Sequence, residues 1–207
     1  CYDKRLYDRL EHDPAESVRL HLCADLSYQE KLVRFIENHD EPRAAAAFSP
    51  EKHRAAAVTT LTLPGARLIH EGQMAGRRVR LPVFLARRPE ESPDSDLLAF
   101  YRILLETLSR GDFLSGTWRL CDRWGWPGNE SYLNLVSWCW QKGGARCLMV
   151  VNLSDTAAQC VVRIPWDDLK GRTWRLKDAF TSAEYERDGD QMCGPGLYVD
   201  LPGWGFH

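Results

Sequence analysis

The segment most informative about the fold is Leu32-Val33-Arg34-Phe35-Ile36-Glu37-Asn38-His39-Asp40-Glu41-Pro42-Arg43. Its first part, through Ile36, is an apolar run that predicts a buried strand. Its second part is the densest polar cluster in the first half of the chain. In alternating strand–helix folds, the loops that follow the carboxyl ends of the strands build the functional site. The order of the two parts therefore predicts a polar site directly after a buried strand.

The segments on either side alternate between helix and strand. Ser27-Tyr28-Gln29-Glu30 carries the S-x-x-E pattern of a capped short helix, and Ser49-Pro50-Glu51 predicts the start of another helix. A strand is predicted over residues 61–70, interrupted at Pro64-Gly65. The clearest helix repeats apolar residues on one face and has Gly111 placed to end it: Leu97, Leu98, Tyr101, Leu104, Leu105 and Leu108. This alternation predicts parallel strands joined by right-handed crossovers.

One more helix is predicted near the start of the chain, from Lys4. Its charged residues are interpreted as a solvated face with i, i+4 pairs: Asp3, Arg5, Asp8 and Arg9.

The pattern changes near residue 112 to short strands separated by turn residues. The predicted strands are residues 132–140, 146–153, 159–164, 172–176 and 197–201, with another beginning near Trp204. The connections are short, which favours antiparallel neighbours and a small β-sandwich. We therefore predict two domains, an α/β domain over residues 1–111 and an all-β domain over residues 112–207.

The composition is that of an ordinary folded globular protein, with 27 Lys+Arg against 29 Asp+Glu and a net charge of −2. This balance excludes a general polyanion binder, and the arginines between residues 77 and 88 alternate with apolar residues rather than glycines. We therefore expect no nucleic-acid partner. No apolar run approaches the about 20 residues that cross a bilayer, and the first residues lack a signal-peptide core. We expect no membrane partner and a cytoplasmic location.

The cysteines and tryptophans carry less specific information. Seven cysteines without a C-x-x-C pair predict neither a zinc site nor a disulfide framework, so buried free thiols in a reducing compartment are expected. Of the eight tryptophans, Trp138 and Trp140 share one strand face and are expected in a core. Trp124 and Trp126 lie in a Gly/Pro-containing loop and are the only pair predicted to form an exposed platform.

The chemistry of the polar cluster fits a polyhydroxylated substrate. A carboxylate accepts two sugar hydroxyls at once, and an imidazole donates to a third. An alternative of equal weight is a polar turn in which Asp40 or Asn38 caps a helix. Glu37 and Glu41 are expected to orient neighbours or to face solvent, and Arg43 to pair with one of them or to shape the cleft.

These residues carry a resemblance to a known family. Phe35-Ile36-Glu37-Asn38-His39-Asp40 resembles the fourth short signature of the α-amylase family of glycoside hydrolases, at the end of the seventh strand of their (β/α)8 barrel. Residues 63–73, with Leu-Pro-Gly leading to a Gly-Gln pair, are similar to the eighth strand. Residues 150–154 and 201–205 are similar to the antiparallel β-domain that follows. The resemblance implies an α/β fold, the C-terminal portion of a (β/α)8 TIM barrel followed by an all-β antiparallel sandwich domain.

The resemblance also implies residue roles. Asp40 would be the transition-state stabiliser that grips the sugar hydroxyls, and His39 would hydrogen-bond the same sugar. The other substrate-binding candidates in the cleft are Asn38, Arg43, His70 and Gln73, with a structural role as the alternative for His70 and Gln73. The implied activity is that of a retaining enzyme on α-1,4-glucans or maltooligosaccharides, by hydrolysis or by glycosyl transfer.

The catalytic pair of such an enzyme is not found in this sequence. Cys1-Tyr2-Asp3 looks like the start of the sixth strand, which implies a nucleophile and an acid/base upstream of Cys1. We expect a fragment cut at both ends that is inactive alone. No cofactor is expected, and a structural calcium only in the upstream part. The competing hypothesis is a non-catalytic remnant whose β-domain binds carbohydrate or a partner protein.

Overall fold

The computed structural model describes residues 1–82, 84–85, 87–110 and 115–207. The first half contains helices α1 (Lys4–His12), α2 (Ala15–Leu22), α3 (Leu26–Gln29), α4 (Ala44–Ala47), α5 (Pro50–Thr62) and α6 (Ser95–Arg110), with strands β1 (Val33–Arg34) and β2 (Ala66–Arg67). The second half contains β3 (Thr117–Leu120), β4 (Arg123–Trp124), β5 (Leu135–Lys142), β6 (Ala145–Asn152), β7 (Ala158–Val162), β8 (Thr173–Lys177), β9 (Glu184–Asp188), the short helix α7 (Gly189–Cys193) and β10 (Leu197–Leu201).

The strands of the first half are parallel, as the alternating pattern predicts. β1 pairs with β2, with Val33 opposite Ala66, and Tyr2 forms a parallel bridge to Val33. The N–H of Asp3 donates to the carbonyl of Val33 at 3.0 Å. The spatial order is therefore Tyr2, β1, β2, with helices in the connections and the carboxyl ends of β1 and β2 at one edge.

The boundaries of two predicted strands are wrong. Residues 61 and 62 belong to the last turn of α5, and only Ala66–Arg67 of the predicted 61–70 strand pairs with a neighbour. The hydroxyls of Thr59, Thr60 and Thr62 each donate to the carbonyl four residues earlier, at 2.7–2.9 Å. Burial of this segment holds a β-branched sequence in a helix, because packing overrides intrinsic preference. In the 32–36 run, only Val33–Arg34 is strand.

The predicted helices are confirmed, with one corrected cap. Ser49 begins α5, and its Oγ accepts the N–H of Lys52 at 3.2 Å. Helix α6 buries its apolar face through Leu97, Tyr101 and Leu104. Ser27 is not the cap of α3, because Asp25 precedes that helix and Ser27 lies inside it. Gly111 as the end of α6, and the domain boundary at residues 111 and 112, lie outside the described residues.

Gly65 sets the entry into β2 and carries a testable prediction. Its φ is +104°, and an added Cβ would lie 2.4 Å from the carbonyl oxygen of Leu32. We expect Gly65→Ala to lower the free energy of unfolding by about 1–3 kcal/mol, measured by urea denaturation. Gly128→Ala is the matched control, since Gly128 has a φ of +86° and open space around it. Equal losses in the two variants would show that the close approach to Leu32 contributes nothing.

The second half consists of antiparallel sheets. β5 lies between β3 and β6, β7 lies between β10 and β4, and β8 pairs with β9. The predicted strands at 146–153, 159–164, 172–176 and 197–201 correspond to β6, β7, β8 and β10 within two residues. The predicted strand at 132–140 is wrong at its start, and the one predicted near Trp204 is wrong. Residues 132–134 form a 3-10 turn before β5, and the chain near Trp204 forms only a bridge from Phe206 to Val151.

The two halves share a hydrophobic core. One cluster joins the helices of the first half to the face of β5 and β6 that carries Trp138, Trp140 and Val151. The indole N–H of Trp140 donates to the carbonyl of Thr62 at 2.8 Å. The predicted core position of Trp138 and Trp140 is confirmed. A second cluster lies between β5, β7 and β10.

The cysteines are all free, and their burial is mixed. Cys121, Cys139 and Cys160 are buried, and Cys147 and Cys193 are half-buried. The expectation of burial is wrong for two cysteines, Cys1 and Cys23, which are exposed. Among the helices of the described residues, none has the length and apolar character needed to cross a membrane.

Candidate functional site

The candidate site lies where the chain leaves the carboxyl end of β1. Asn38 is buried there, and its Oδ1 accepts the backbone N–H groups of Asp40 at 2.8 Å and of Glu41 at 3.0 Å. A short amide side chain that accepts N–H groups two and three residues ahead fixes a tight turn. Asn38 therefore holds the backbone of the loop and does not present its oxygen to a ligand. It caps this turn rather than a helix.

The turn leaves the side chains of His39 and Asp40 in solvent. They are 50% and 71% exposed, and His39 Nε2 lies 3.3 Å from Asp40 Oδ2. Because the Asp40 carboxylate is mostly exposed, it can accept hydrogen bonds from a ligand. An imidazole and a carboxylate thus lie side by side at the edge predicted for the site.

Glu37 is the centre of a buried polar cluster beneath these two residues. It is fully buried, and its Oε2 accepts the backbone N–H of Ala44 at 2.6 Å. Its Oε1 lies 3.0 Å from Arg43 Nη2 and 3.3 Å from His70 Nδ1. Of the two expectations for Glu37, contact with its neighbours is confirmed and exposure to solvent is wrong. Arg43 pairs with Glu37, as one of its predicted alternatives required.

Burial dominates the electrostatics of this cluster. It raises the pKa of Glu37 to about 7, although the N–H of Ala44 and the charge of Arg43 favour the carboxylate. Burial and the charge of Arg43 lower the pKa of His70. Glu37 thus holds a proton more tightly than an ordinary carboxyl, and His70 favours the neutral imidazole. Both Glu37 oxygens are engaged by protein groups, so the raised pKa does not make it a general acid.

Arg43, His70 and Gln73 connect β1 to the loop after β2. Arg43 Nη2 donates to the carbonyl of Glu71 at 2.7 Å, and Arg43 Nη1 lies 3.2 Å from His70 Nδ1. Gln73 is buried, with its Oε1 accepting the N–H of His70 at 3.2 Å and its Nε2 donating to the hydroxyl of Tyr101 at 2.7 Å. His70 is therefore partly open at the site, whereas Gln73 supports it from below.

Asp3 and Asp8, both predicted on a solvated helix face, have different outcomes. Asp3 is buried and not on a solvated face; its carboxylate accepts the N–H of Leu6, lies 2.9 Å from His21 Nε2 and contacts the guanidinium of Arg34. Arg34 is itself fully buried, so this ion pair lies inside the first half of the fold. Asp8 does form the expected i, i+4 pair, with Lys4, at 2.5 Å.

The described residues offer no group of side chains that could bind a metal ion. No three or more His, Cys, Asp or Glu side chains there are grouped so that they could hold an ion.

Known proteins resemble this chain in fold and not in sequence. No family model matches the sequence, and no curated protein matches it. A maltogenic alpha-amylase from Thermotoga neapolitana matches 99% of this chain and 49% of its own, with 18% identity and a TM-score of 0.77. An alpha-amylase from Geobacillus thermoleovorans, complexed with acarbose, has 12% sequence identity to this chain and a TM-score of 0.73. The match covers 99% of this chain and 46% of that amylase. An alpha-amylase from Lactobacillus plantarum has 15% sequence identity to this chain and a TM-score of 0.71. The match covers 99% of this chain and 46% of the amylase.

The similar structures have the same class of fold as this chain. The chain is an α/β protein with several antiparallel sheets, and it spans about half the length of the structures described above. More particularly, almost its whole length has the fold found in structures of the α-amylase family of glycoside hydrolases. The predicted resemblance is thus confirmed for an α/β fold with several antiparallel sheets, and the described residues form no closed barrel.

Proposed function

We propose that this chain is part of a retaining enzyme of the α-amylase family that acts on α-1,4-glucans or maltooligosaccharides. The reaction is hydrolysis or glycosyl transfer. In this proposal, residues 1–111 form about strands six to eight of a (β/α)8 barrel, and residues 112–207 form the C-terminal β-sandwich domain. The parallel order of Tyr2, β1 and β2 supports the barrel assignment, and so does the similarity to a maltogenic alpha-amylase over 99% of the chain.

The observation that carries the proposal is the geometry of Asp40. Its carboxylate is exposed beside His39, on a turn held by Asn38, at the same edge as His70. Cleavage of a glycosidic bond develops positive charge on the sugar ring as the ring flattens. A fixed carboxylate that accepts two ring hydroxyls stabilises that charge more strongly in the transition state than in the ground state. His39 donates a hydrogen bond to the same sugar.

The neighbouring residues have supporting roles in this proposal. Asn38 fixes the backbone that carries Asp40, and Gln73 fixes the backbone of His70. Arg43 forms the floor of the cleft, where Glu37 and the carbonyl of Glu71 hold it. His70 is the partly open one of these side chains and contacts the sugar directly.

The proposal makes a prediction for the 207-residue chain by itself. A retaining mechanism needs a nucleophile and an acid/base carboxyl about 5 Å apart, and the proposal takes both from other barrel strands. We therefore expect the purified chain to release no product from maltooligosaccharides in a reducing-sugar assay. Turnover by the purified chain that Asp40→Asn abolishes would overturn this assignment.

The experiment that tests the function uses the enzyme that contains this chain. Asp40→Ala should abolish turnover of maltoheptaose, because the transition-state contact is lost. The competing hypothesis of a non-catalytic binding protein makes the opposite prediction. In that case the protein has no turnover to lose, and Asp40→Ala leaves its affinity for maltoheptaose unchanged.

A further inference from the structure

An exposed row of side chains crosses the sheet formed by β10, β7 and β4. Trp124 in β4 and Tyr198 in β10 both lie directly opposite Val161 in β7. Residues directly opposite each other in paired strands point to the same face of the sheet. The ring of Trp126, two residues after Trp124, has its centroid 6.2 Å from that of Tyr198, with 35° between the planes. We call Trp124, Trp126 and Tyr198 the aromatic row.

The aromatic row is unusually open for rings of this size. Trp124, Trp126 and Tyr198 are 37%, 43% and 50% exposed. The opposite face of the same sheet buries apolar residues such as Cys160 and Val199, and the outer face of such a sheet is normally polar. Three exposed rings grouped on that face differ from the scattered single apolar residues that are normal on a protein surface.

The loop that carries Trp126 is fixed without a ligand. The amide Nδ2 of Asn129 donates to the carbonyl of Gln159 in β7 at 3.0 Å, and the N–H of Asn129 donates to the carbonyl of Trp126 at 2.8 Å. Gly125 allows the tight return, since a Cβ there would lie 2.3 Å from the Asn129 carbonyl oxygen. A ligand that binds this surface therefore loses little free energy in ordering it.

Polar side chains border the row along the same face. Gln159 and Asp200 are opposite each other, two residues along from Val161 and Tyr198, and Gln159 Nε2 donates to Asp200 Oδ2 at 3.0 Å. An amide and a carboxylate beside exposed rings offer hydrogen bonds next to an apolar surface. A pyranose has the matching shape, because its ring has apolar C–H faces and a rim of hydroxyls.

We infer that the aromatic row, with Gln159 and Asp200, is a second carbohydrate-binding surface that takes an α-glucan chain, separate from the site around Asp40. The choice of an α-glucan rests on the proposed function. The binding itself rests on the geometry of this sheet. The surface would hold a polymeric substrate on the enzyme, outside the site at which the glycosidic bond is cleaved.

The area of the row argues against a protein partner. With 150–250 Å² for each aromatic side chain and exposures near two-fifths, the three rings offer roughly 250 Å². A stable protein interface needs about 800 Å² on each partner.

The spacing of the row favours a chain over a single sugar. Trp124 and Tyr198 are separated by β7, hence by two strand spacings of about 4.8 Å each. One sugar ring cannot cover both side chains, whereas two or more successive units can. The tilt of 35° between Trp126 and Tyr198 suits a chain that turns along its length. Affinity should therefore rise with the number of glucose units.

The experiment uses the 207-residue chain and two measurements. Tryptophan fluorescence is titrated with glucose, maltose and maltoheptaose, and migration is compared in native gels with and without soluble starch. We expect retardation by starch and tighter binding of maltoheptaose than of maltose. Trp126→Ala and Tyr198→Ala should each weaken maltoheptaose binding about tenfold, the loss of one stacked ring.

The matched control is Tyr185→Ala, since Tyr185 is 36% exposed on β9, outside this sheet. It should retain the wild-type affinity, and circular dichroism should show all three variants folded. Wild-type affinity in both row variants, or no retardation of the wild-type chain, would overturn the inference. Equal retardation by a soluble β-glucan would overturn the α-glucan assignment. None of these results affects the proposed function, which the turnover of the Asp40 variants decides.

Discussion

In the proposed enzyme of which this chain forms part, Asp40→Asn is expected to lower kcat by roughly 10²–10³-fold or more, with a much smaller change in KM. The substitution keeps the size and polarity of the side chain and removes its charge. In the free protein this charge contributes little, because the carboxylate is 71% exposed. Among the described residues, its one ion pair is with His39. An interaction made chiefly in the transition state lowers kcat when it is removed.

A neighbouring carboxylate provides the control for this prediction. Glu71 follows β2 at the same edge, is 68% exposed and contacts the guanidinium of Arg88. Glu71→Gln therefore removes an equally exposed charge, and we expect kcat within about twofold of wild type, as for a surface substitution. The melting temperatures of both variants should equal that of the wild type. Equal losses of kcat in both variants would indicate a general charge effect and not a specific role for Asp40.

The position of the site is predictable from local sequence, and its interior is not. The order of an apolar run and a polar cluster within residues 32–43 is local, and it places Asp40 at the end of a strand. The burial of Glu37 depends on Arg43 and on His70, which is 33 residues further along the chain. A carboxylate among polar neighbours resembles a solvent-exposed residue until that distant contact is known.

The same distinction explains the elements that the sequence pattern did not indicate. β9 reads Glu-Tyr-Glu-Arg-Asp and has no apolar alternation of its own. It becomes a strand because it pairs along its whole length with β8, with Trp174 opposite Arg187. Asp3 is buried for a similar reason, since its partners His21 and Arg34 come from α2 and β1. Long-range pairing decides these cases, and a single sequence does not display it.

Removal of the Glu37 carboxyl is expected to have the largest effect on stability. Glu37→Ala leaves the buried guanidinium of Arg43 without its carboxylate partner and the N–H of Ala44 without its acceptor. Breaking a buried ion pair from one side costs about 3–5 kcal/mol. We expect a loss of this size in the free energy of unfolding at pH 8, above the Glu37 pKa of about 7, measured by urea denaturation. Asp8→Ala is the control, because Asp8 and its partner Lys4 are 48% and 51% exposed, and loss of this surface pair should cost less than about 1 kcal/mol.

Glu37→Gln removes the charge of this residue and keeps its hydrogen bond from Ala44, while the amide nitrogen replaces the oxygen that faces Arg43. The amide oxygen still accepts from Ala44, but the side chain no longer titrates. Burial raises the pKa of Glu37 from 4.5 to about 7, so the folded chain binds this proton more tightly than the unfolded chain. The stability that the proton contributes is complete below pH 4.5, declines as the pH rises from 4.5 to about 7, and is lost above that. The total change is about 3 kcal/mol.

The measurement is the difference in unfolding free energy between wild type and Glu37→Gln from pH 4 to pH 8. The difference is needed because His70 titrates in an overlapping range with the opposite sign: its pKa is lowered, so folding is favoured as the pH rises. We expect the stability of the wild type relative to Glu37→Gln to fall across this window. A constant difference would mean that Glu37 is ionised throughout, because attraction to Arg43 then outweighs the cost of burying its charge. The cluster beneath Asp40 would in that case be a fixed ion pair and not a proton-binding one.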